Sequence, residues 1–467
     1  MLSLLFFLGA VGKSAQIFLH TWLPSAMEGP TPVSALIHAA TMVTAGVSLL
    51  IKCAPIIENS VFILSIIAIS GVVTSFFAAS SGLLLSDIKK VIAYSTCSQL
   101  GYMIFSCGFS AYNISLFHLM NHAVSKALLF LCAGAIIHSV SNEQDMRRMG
   151  GLLKVVPLAY STFFVASLAI MGFPYLTGFF SKDVILETAA HIYGGLGLFV
   201  HCIASVTALF TAMYSMRLLY SIFIVEINLS RKYMLNLHES PSVMAHALII
   251  LAIGSIFSGF FFKDLLIGPA SFFLTANIRV ISKSIFLFDA EFLKILIKLI
   301  PLIVGLFGFS FLFGILYYWK YCSLFYAKRH NAVFRFFSNK WHFDYIYNVL
   351  INTKVLKIAK KYIYLLTDKG LLEIIGPFGF EKVIRFSGHG LTVNQDGYIG
   401  KYLFYMLMPF AVLSYLLLSE SLIFEQSVFV QFFSFFCKAR SQRSFLWLLK
   451  TIKIFFTRCT YLPIMYI

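Results

Sequence analysis

Apolar segments long enough to cross a lipid bilayer follow one another along most of this chain. A hydrocarbon core about 30 Å thick needs about 20 apolar residues in a helix. Segments such as 61–80 and 112–139 have that length, and short polar links separate them. The chain of 467 residues is 59% hydrophobic and only 12% charged, and it lacks the alternating pattern of barrel strands. We therefore predict an all-α fold, a polytopic transmembrane helix bundle.

The charges of the chain are concentrated at helix ends, in loops and in its last third, with a net charge of +17. In a membrane protein this excess indicates contact with phospholipid headgroups, so we expect no nucleic-acid partner. The eight cysteines are scattered and form no Cys-x-x-Cys pair. The sequence therefore predicts no disulfide frame and no iron–sulfur, other metal or cofactor-binding site in this chain.

The spanning segment 112–139 contains three ionisable residues on one helix face. His118, His122 and Lys126 lie at positions i, i+4 and i+8. A lysine near the centre of a spanning helix costs about 2.5–3.5 kcal/mol on insertion, which favours a functional role for this face. The alternative is a packing role, in which backbone carbonyls satisfy the lysine and the histidines are hydrogen-bonded core residues.

The first apolar segment, 2–20, contains Lys13 near its centre, next to Gly12. A glycine beside a buried lysine predicts a broken or closely packed helix, in which freed carbonyls solvate the ammonium. The second helix, predicted over 31–51, contains His38. That histidine is either a functional residue or a hydrogen-bonded core residue.

We expect the helix over 155–190 to be interrupted. Pro174 lacks a backbone donor and clashes with the preceding turn, and Gly172 and Gly178 flank it. Lys182 and Asp183 follow directly. Discontinuous membrane helices with a charged residue beside the gap are typical of ion or proton sites, whereas a loop at the membrane surface is the alternative.

The C-terminal third changes character. Lys354, Lys357 and Lys361 lie at i, i+3 and i+7 and leave an apolar face elsewhere, which predicts an amphipathic helix over about 344–386. Gly376 and Pro377 predict a bend in it. A last spanning helix over about 399–418 anchors this segment, and a basic, aromatic tail follows.

Six motifs resemble one known family. They are Gly12-Lys-Ser-Ala-Gln16, the segment from Thr21-Trp-Leu-Pro-Ser-Ala-Met-Glu-Gly-Pro to Gly46, the segment from Asp87-Ile-Lys-Lys to Gln99-Leu-Gly-Tyr102, the segment from Phe117-His-Leu-Met-Asn-His-Ala-Val-Ser-Lys to Phe130, Glu143-Gln-Asp-Met-Arg-Arg-Met-Gly-Gly151 and Gly178-Phe-Phe-Ser-Lys-Asp183. Their length and order are similar to those of the subunit 5 family of NADH:ubiquinone oxidoreductase, respiratory complex I. The similarity is close over residues 9–190 and is limited to the layout of the helices beyond them.

The resemblance implies a membrane-arm subunit built from two inverted five-helix repeats and related to cation/proton antiporters. It implies a buried chain of proton carriers at Lys13, His38, His118, His122, Lys126 and Lys182, with Asp183 at its outer end. The implied domains are the end of the first half-repeat (1–51), the second repeat (52–225), additional spanning helices (226–338), a lateral amphipathic helix (339–398), an anchor helix (399–418) and the tail (419–467).

The chain departs from the family pattern at its start. Members of the family have about six further helices before the position of Met1, among them one with a glutamate that pairs with the equivalent of Lys13. We expect a split gene, with a separate chain that carries this N-terminal half. A sequence that is incomplete at its start is the alternative.

The resemblance implies proton translocation coupled to ubiquinone reduction elsewhere in complex I, in the mitochondrial inner membrane. The FMN, the iron–sulfur clusters and the ubiquinone would belong to other subunits, and the other membrane-arm subunits would be partners. Three alternatives remain open: a subunit of a multi-subunit cation/proton antiporter, a haem-binding electron carrier, and a scaffold that has lost its transport activity. Haem ligation normally requires histidines on facing helices, whereas His118 and His122 share one.

Overall fold

The computed structural model describes residues 1–192, 194–229, 234, 237–268, 290–319, 332–393 and 395–419. They belong to two compact units, Met1–Leu356 and Lys357–Ile467. Within the described ranges the secondary structure is helical and contains no strand, apart from an isolated bridge between Asp87 and Asp145. The predicted all-α class is confirmed. Of the predicted tail, 419–467, all but Ser419 lies outside the described residues.

The first unit consists of long helices joined by short turns. The long helices are α1 (Leu2–Lys13), α2 (Thr31–Lys52), α3 (Val61–Gly82), α4 (Ile88–Gly108), α5 (Tyr112–Ser139), α6 (Pro157–Met171), α7 (Thr177–His191), α8 (Gly195–Ile224), α9 (Ser242–Leu266) and α10 (Ile295–Trp319). Short helical turns lie at Trp22–Ser25, Ala26–Glu28, Ala54–Ile57, Met146–Arg148, Leu152–Lys154, Ala290–Phe292, Ala332–Ser338 and Lys340–His342.

Six of these helices are long and apolar enough to cross a membrane: α2, α3, α5, α8, α9 and α10. Backbone polar groups in a bilayer core must be satisfied within the protein, and a helix does so within one segment. The chain is therefore a multi-pass membrane protein. Helix α5 has the bounds that its apolar run predicts and packs against α2, α4, α6, α7 and α9.

Helix α4 is the most enclosed, because every residue in it except Lys90 is buried. Glycines allow α3 and α4 to pack backbone to backbone. A Cβ at Gly101 would lie 2.6 Å from the carbonyl oxygen of Gly71, and a Cβ at Gly71 would lie 2.5 Å from the amide nitrogen of Phe105. Small residues at a membrane helix interface permit this approach. The close packing of α3 against α4 keeps the polar side chains of α4 inside the bundle.

Two of the predicted helical segments, 2–20 and 155–190, are interrupted by irregular backbone. Helix α1 continues through Gly12 and ends at Lys13, and the backbone then turns at Ala15, whose φ is 50°. The segment predicted over 2–20 is therefore broken, with the break directly after Lys13 and not at Gly12 itself. The unwound stretch follows Lys13, where Trp22 Nε1 donates to the Gly12 carbonyl at 3.1 Å and Gln16 Nε2 donates to the Ser14 carbonyl at 3.0 Å.

The second interruption separates α6 from α7. Helix α6 ends at Met171 and is capped by Gly172, whose φ is +91°, and α7 begins at Thr177, so Pro174 lies in the gap between them. Gly178 lies in the first turn of α7 and has a packing role, because a Cβ there would lie 1.7 Å from the Ala169 carbonyl oxygen. The end of α6 and the start of α7 are therefore in direct backbone contact.

Helical segments continue from 343 to 375 as Phe343–Tyr345, Ile346–Asn352, Thr353–Ile358, Ala359–Leu372 and Glu373–Ile375. The helix is interrupted at Gly376 and resumes as Pro377–Val393. The second unit ends, within the described residues, with the apolar helix Ile399–Ser419. Apolar side chains of the second unit, among them Leu365, Ile374 and Phe410, are exposed in this single chain.

Candidate functional site

His118 is the residue at which three helices meet. Its ring is buried, with Nδ1 2.9 Å from the hydroxyl of Ser181 on α7 and Nε2 3.2 Å from Gln99 Oε1 on α4. An amide oxygen only accepts, so Nε2 is the protonated nitrogen and a neutral ring accepts from Ser181 at Nδ1. A charged ring donates at both nitrogens, and the Ser181 hydroxyl then donates to the Thr177 carbonyl at 3.3 Å. This ring can therefore gain or lose a proton without leaving a partner unsatisfied.

Lys126 lies two turns further along α5 and is fully buried. Its Nζ donates to the Ser95 hydroxyl on α4 and, at 3.5 Å, to the Ile92 carbonyl. Ser95 itself donates to that same carbonyl at 2.7 Å. The described residues place no carboxylate in an ion pair with this lysine. A buried ammonium with only neutral partners is held weakly, which suits a group that must release its proton.

His122 lies between His118 and Lys126 on the same face of α5. It is buried, and its ring centroid lies 6.2 Å from that of His118. Neither of its ring nitrogens has a hydrogen-bond partner among the described residues. The face of three ionisable residues that the sequence predicts is thus turned into the protein interior.

Lys182 is positioned by both sides of the second interruption. Its Nζ donates to the carbonyl of Met171, the last residue of α6, at 3.3 Å and to Thr211 Oγ1 on α8 at 2.8 Å. The ammonium also lies 5.6 Å from the ring centroid of Tyr102 on α4, in a cation–π contact. The carbonyl freed at the end of α6 therefore solvates the lysine.

Asp183 is half-buried beside Lys182. Both line a cavity of about 10 Å³, together with the 171–174 turn and the residues Ala208, Pro301, Leu302, Gly305 and Leu306. A cavity of this size holds about one water molecule. Lys182 and Asp183 therefore share one small cavity at the helix interruption.

Among the described residues, the other two predicted carriers have no hydrogen bond to this group. Lys13 is exposed, because α1 packs through Phe7, Ala10 and Val11 and turns the lysine away. The prediction that Lys13 is buried is wrong for this chain alone. His38 is half-buried against Trp22, with ring centroids 6.2 Å apart, and its Nδ1 has no partner among the described residues.

Sequence reasoning missed the polar face of α8. Thr207, Thr211 and Tyr214 lie at i, i+4 and i+7 and are all buried. Thr207 is hydrogen-bonded to the hydroxyl of Tyr102, and Thr211 accepts from Lys182. The spacing of three hydroxyl residues in an apolar helix is the sequence signal for this face.

The four helices α4, α5, α7 and α8 thus enclose a line of buried polar groups that runs from Lys126 to Asp183. Hydroxyls, imidazoles and ammonium groups in such a line can accept and donate protons in turn. No group of three His, Cys, Asp or Glu side chains in the described part of the chain is placed to hold a metal ion. The arrangement favours movement of protons or small cations.

Family comparisons agree with this class. Residues 1–211 match the transmembrane domain family of NADH:quinone oxidoreductases and Mrp antiporters, and residues 214–417 match the C-terminus of NADH dehydrogenase subunit 5. The solved Mrp complex from Dietzia sp. DQ12-45-1b has the same fold over 90% of this chain and 41% of its own, with a TM-score of 0.54 and 21% identity. The fold is therefore that of the antiporter-like membrane subunits.

The sequence relatives are more specific. NADH-ubiquinone oxidoreductase chain 5 is 48% identical to this chain in Phytophthora infestans, 47% in Chondrus crispus and 46% in Arabidopsis thaliana. The alignments cover 87%, 93% and 87% of this chain and 61%, 66% and 61% of the relatives. The chain is homologous to these proteins and spans less than two-thirds of their length.

Proposed function

We propose that this chain is a proton-translocating subunit of the membrane arm of NADH:ubiquinone oxidoreductase. The observation that carries the proposal is the buried line from Lys126 through His118 to Lys182, in which each cation is held by neutral hydrogen-bond partners. The relatives that are named as chain 5 of this enzyme support it.

The proton moves when a charge near a buried lysine changes. A low dielectric disfavours the ammonium form and a nearby carboxylate favours it, so movement of a carboxylate switches the lysine between holding and releasing its proton. Lys126 and Lys182 are the two storage groups, His118 relays between them, and Asp183 receives the proton at the outer end. The membrane field opposes the charge by about 2.3 kcal/mol per 100 mV, so quinone reduction elsewhere in the complex must drive the movement.

Further membrane helices would cover the exposed face of α1. This helix turns Leu2, Leu5 and Lys13 outward, and a lysine that faces lipid costs about 2.5–3.5 kcal/mol. We assign an acidic side chain to the covering helices, because it would neutralise Lys13 and join it, through His38, to the rest of the line. The polypeptide composition of the purified complex tests this assignment.

The chain would work in the mitochondrial inner membrane, next to the other membrane-arm subunits. FMN, the iron–sulfur clusters and ubiquinone would be bound by other subunits, and no redox centre would lie in this chain. The exposed apolar side chains of 357–393 and 395–414 support contacts with neighbouring subunits and phospholipids.

Reconstituted vesicles distinguish this function from that of a cation/proton antiporter. Complex purified with this chain should acidify the vesicle lumen when NADH and ubiquinone are added, and a quinone-site inhibitor should abolish the acidification. A sodium-dependent pH gradient that persists in the presence of the inhibitor would contradict the proposal and favour the antiporter.

A further inference from the structure

The ammonium of Lys182 lies in a pocket of oxygen ligands at the second helix interruption, here called the Lys182 pocket. Its Nζ lies 3.3 Å from the Met171 carbonyl oxygen and 2.8 Å from Thr211 Oγ1. Because α6 ends at Met171, this carbonyl accepts from the lysine and not from the N–H of a further helical turn. The carbonyl end of a helix carries partial negative charge, which favours a cation at this position.

Asp183 adds a carboxylate to the Lys182 pocket. Asp183 Oδ1 and Lys182 Cδ lie 4.0 and 3.8 Å from the point that a Cβ of Gly172 would occupy, so both side chains flank this glycine. Both residues line the same cavity, and the carboxylate interacts electrostatically with the ammonium. A carbonyl, a hydroxyl and a carboxylate are therefore gathered at one buried position.

This set of groups is typical of a site for a free metal cation. Hard cations prefer oxygen ligands, and carbonyls freed at the ends of broken membrane helices coordinate Na⁺. The surroundings of Lys126 differ. Its ammonium contacts the Ser95 hydroxyl and the carbonyl of Ile92, which lies inside the continuous helix α4. No carboxylate of the described residues interacts electrostatically with Lys126.

We propose that the ammonium of Lys182 occupies a site that would otherwise bind Na⁺, and that this tethered cation makes the pocket selective for protons. A free metal cation needs the volume and the oxygen ligands that the ammonium takes, so it is excluded while the lysine side chain is in place. Lys182 is thus a specificity-determining residue. The binding site is argued from its own contacts, whereas its consequence for transport rests on the proposed function.

The test measures ²²Na⁺ bound at equilibrium by the purified complex. Lys182→Ala removes three methylene groups and the ammonium, so this variant should bind one more Na⁺ per complex than the unmodified complex. Lys182→Met fills the same space with an apolar chain and should bind no additional Na⁺. Lys126→Ala is the matched control, because it deletes the same atoms at a position without a carboxylate, and it should bind no additional Na⁺ either.

The oxygen ligands are tested in the Lys182→Ala background. Thr211→Val should weaken the additional Na⁺ binding about tenfold, because a buried charge loses one of its partners. Asp183→Asn removes the compensating negative charge and should weaken the binding at least as much.

A variant that assembles poorly still gives a readout. Na⁺ that binds only the folded complex stabilises it, so more Lys182→Ala complex should be recovered from Na⁺ medium than from choline medium. Lys182→Ser supplies a further hydroxyl ligand and should respond to Na⁺ in the same way. Equal recovery of poorly assembled variants from the two media would contradict the proposal.

The binding results and the proton count decide different claims. Lys182→Ala without additional Na⁺, or an equal gain of Na⁺ in Lys126→Ala, would overturn the Na⁺ site and leave the proposed function standing. The proton count of a Lys126→Met complex tests the proposed function. A full count there, with additional Na⁺ in Lys182→Ala, would overturn the function and leave the Na⁺ site standing.

Discussion

The ammonium of Lys182 donates a 2.8 Å hydrogen bond to the hydroxyl of Thr211, which itself donates at 2.7 Å to the carbonyl of Ala208. Because the hydroxyl hydrogen of Thr211 is donated to the Ala208 carbonyl in the same helix, the hydroxyl oxygen is left to accept from Lys182. The two residues lie on helices that follow the second interruption, so this contact fixes the lysine relative to α8.

We expect Thr211→Val to leave Lys182 with the Met171 carbonyl as its only hydrogen-bond acceptor among the described residues. Removal of one partner of a buried charged group costs about 1–3 kcal/mol, so translocation should slow by about tenfold or more. Initial rates of NADH-driven acidification measure the effect. Thr211→Ser keeps the hydroxyl and should restore most of the rate. A valine variant as fast as its serine counterpart would show that the contact is not needed.

Gly178→Ala should destabilise the second interruption. The new Cβ would lie 1.7 Å from the carbonyl oxygen of Ala169, so α6 and α7 would have to separate, at a typical cost of about 1–3 kcal/mol. The thermal midpoint of the purified complex should fall, together with the translocation rate. Gly195→Ala is the control, since a Cβ there meets no heavy atom within 4 Å. Equal midpoints for the two variants would argue against this packing.

The loop between α5 and α6 should be sensitive to acid. Side-chain hydrogen bonds from Arg147 hold the pKa of the Asp145 carboxyl below its usual value. The folded chain therefore binds this proton more weakly than the unfolded chain. The pair stabilises the loop fully above about pH 4, and its contribution disappears as the pH falls through the folded-state pKa.

Hydrogen exchange in peptides from 140–150 tests this dependence. The pair is largely exposed on the Arg147 side, so its contribution is about 0.2–1 kcal/mol. Asp145→Asn should speed exchange at about pH 7, and the difference from the unmodified chain should disappear as the pH falls through the folded-state pKa of Asp145. Arg147→Gln deletes the same pair and should give the same profile. A difference that persists at the lower pH would mean that the loop is held by other contacts.

The sequence predicted the elements that depend on local properties. Helix α5 has its predicted bounds because its apolar run and its polar flanks are both local signals. The interruption around Pro174 was predictable because proline cannot continue the hydrogen-bonding pattern. The polar start of α4 was visible too, although its role in holding Lys126 and His118 was not.

Properties that depend on distant neighbours were not predictable. The exposure of Lys13 depends on which side of α1 is covered, and a pattern of apolar residues does not specify that side. Thr207 and Thr211 each donate to a carbonyl of their own helix, the usual behaviour of threonine in a membrane helix. Only the tertiary structure reveals that their oxygens also serve Tyr102 and Lys182.

The most direct test of proton translocation through this chain is the number of protons moved per electron pair by a Lys126→Met complex. Methionine fills a similar volume and cannot carry a proton, so the complex should assemble and oxidise NADH while its proton count falls. The matched Lys90→Met variant changes a lysine at the edge of the same bundle, where Lys90 is bound to Glu28 and Asp87, and should pump normally. A full proton count from an assembled Lys126→Met complex would contradict the proposed function.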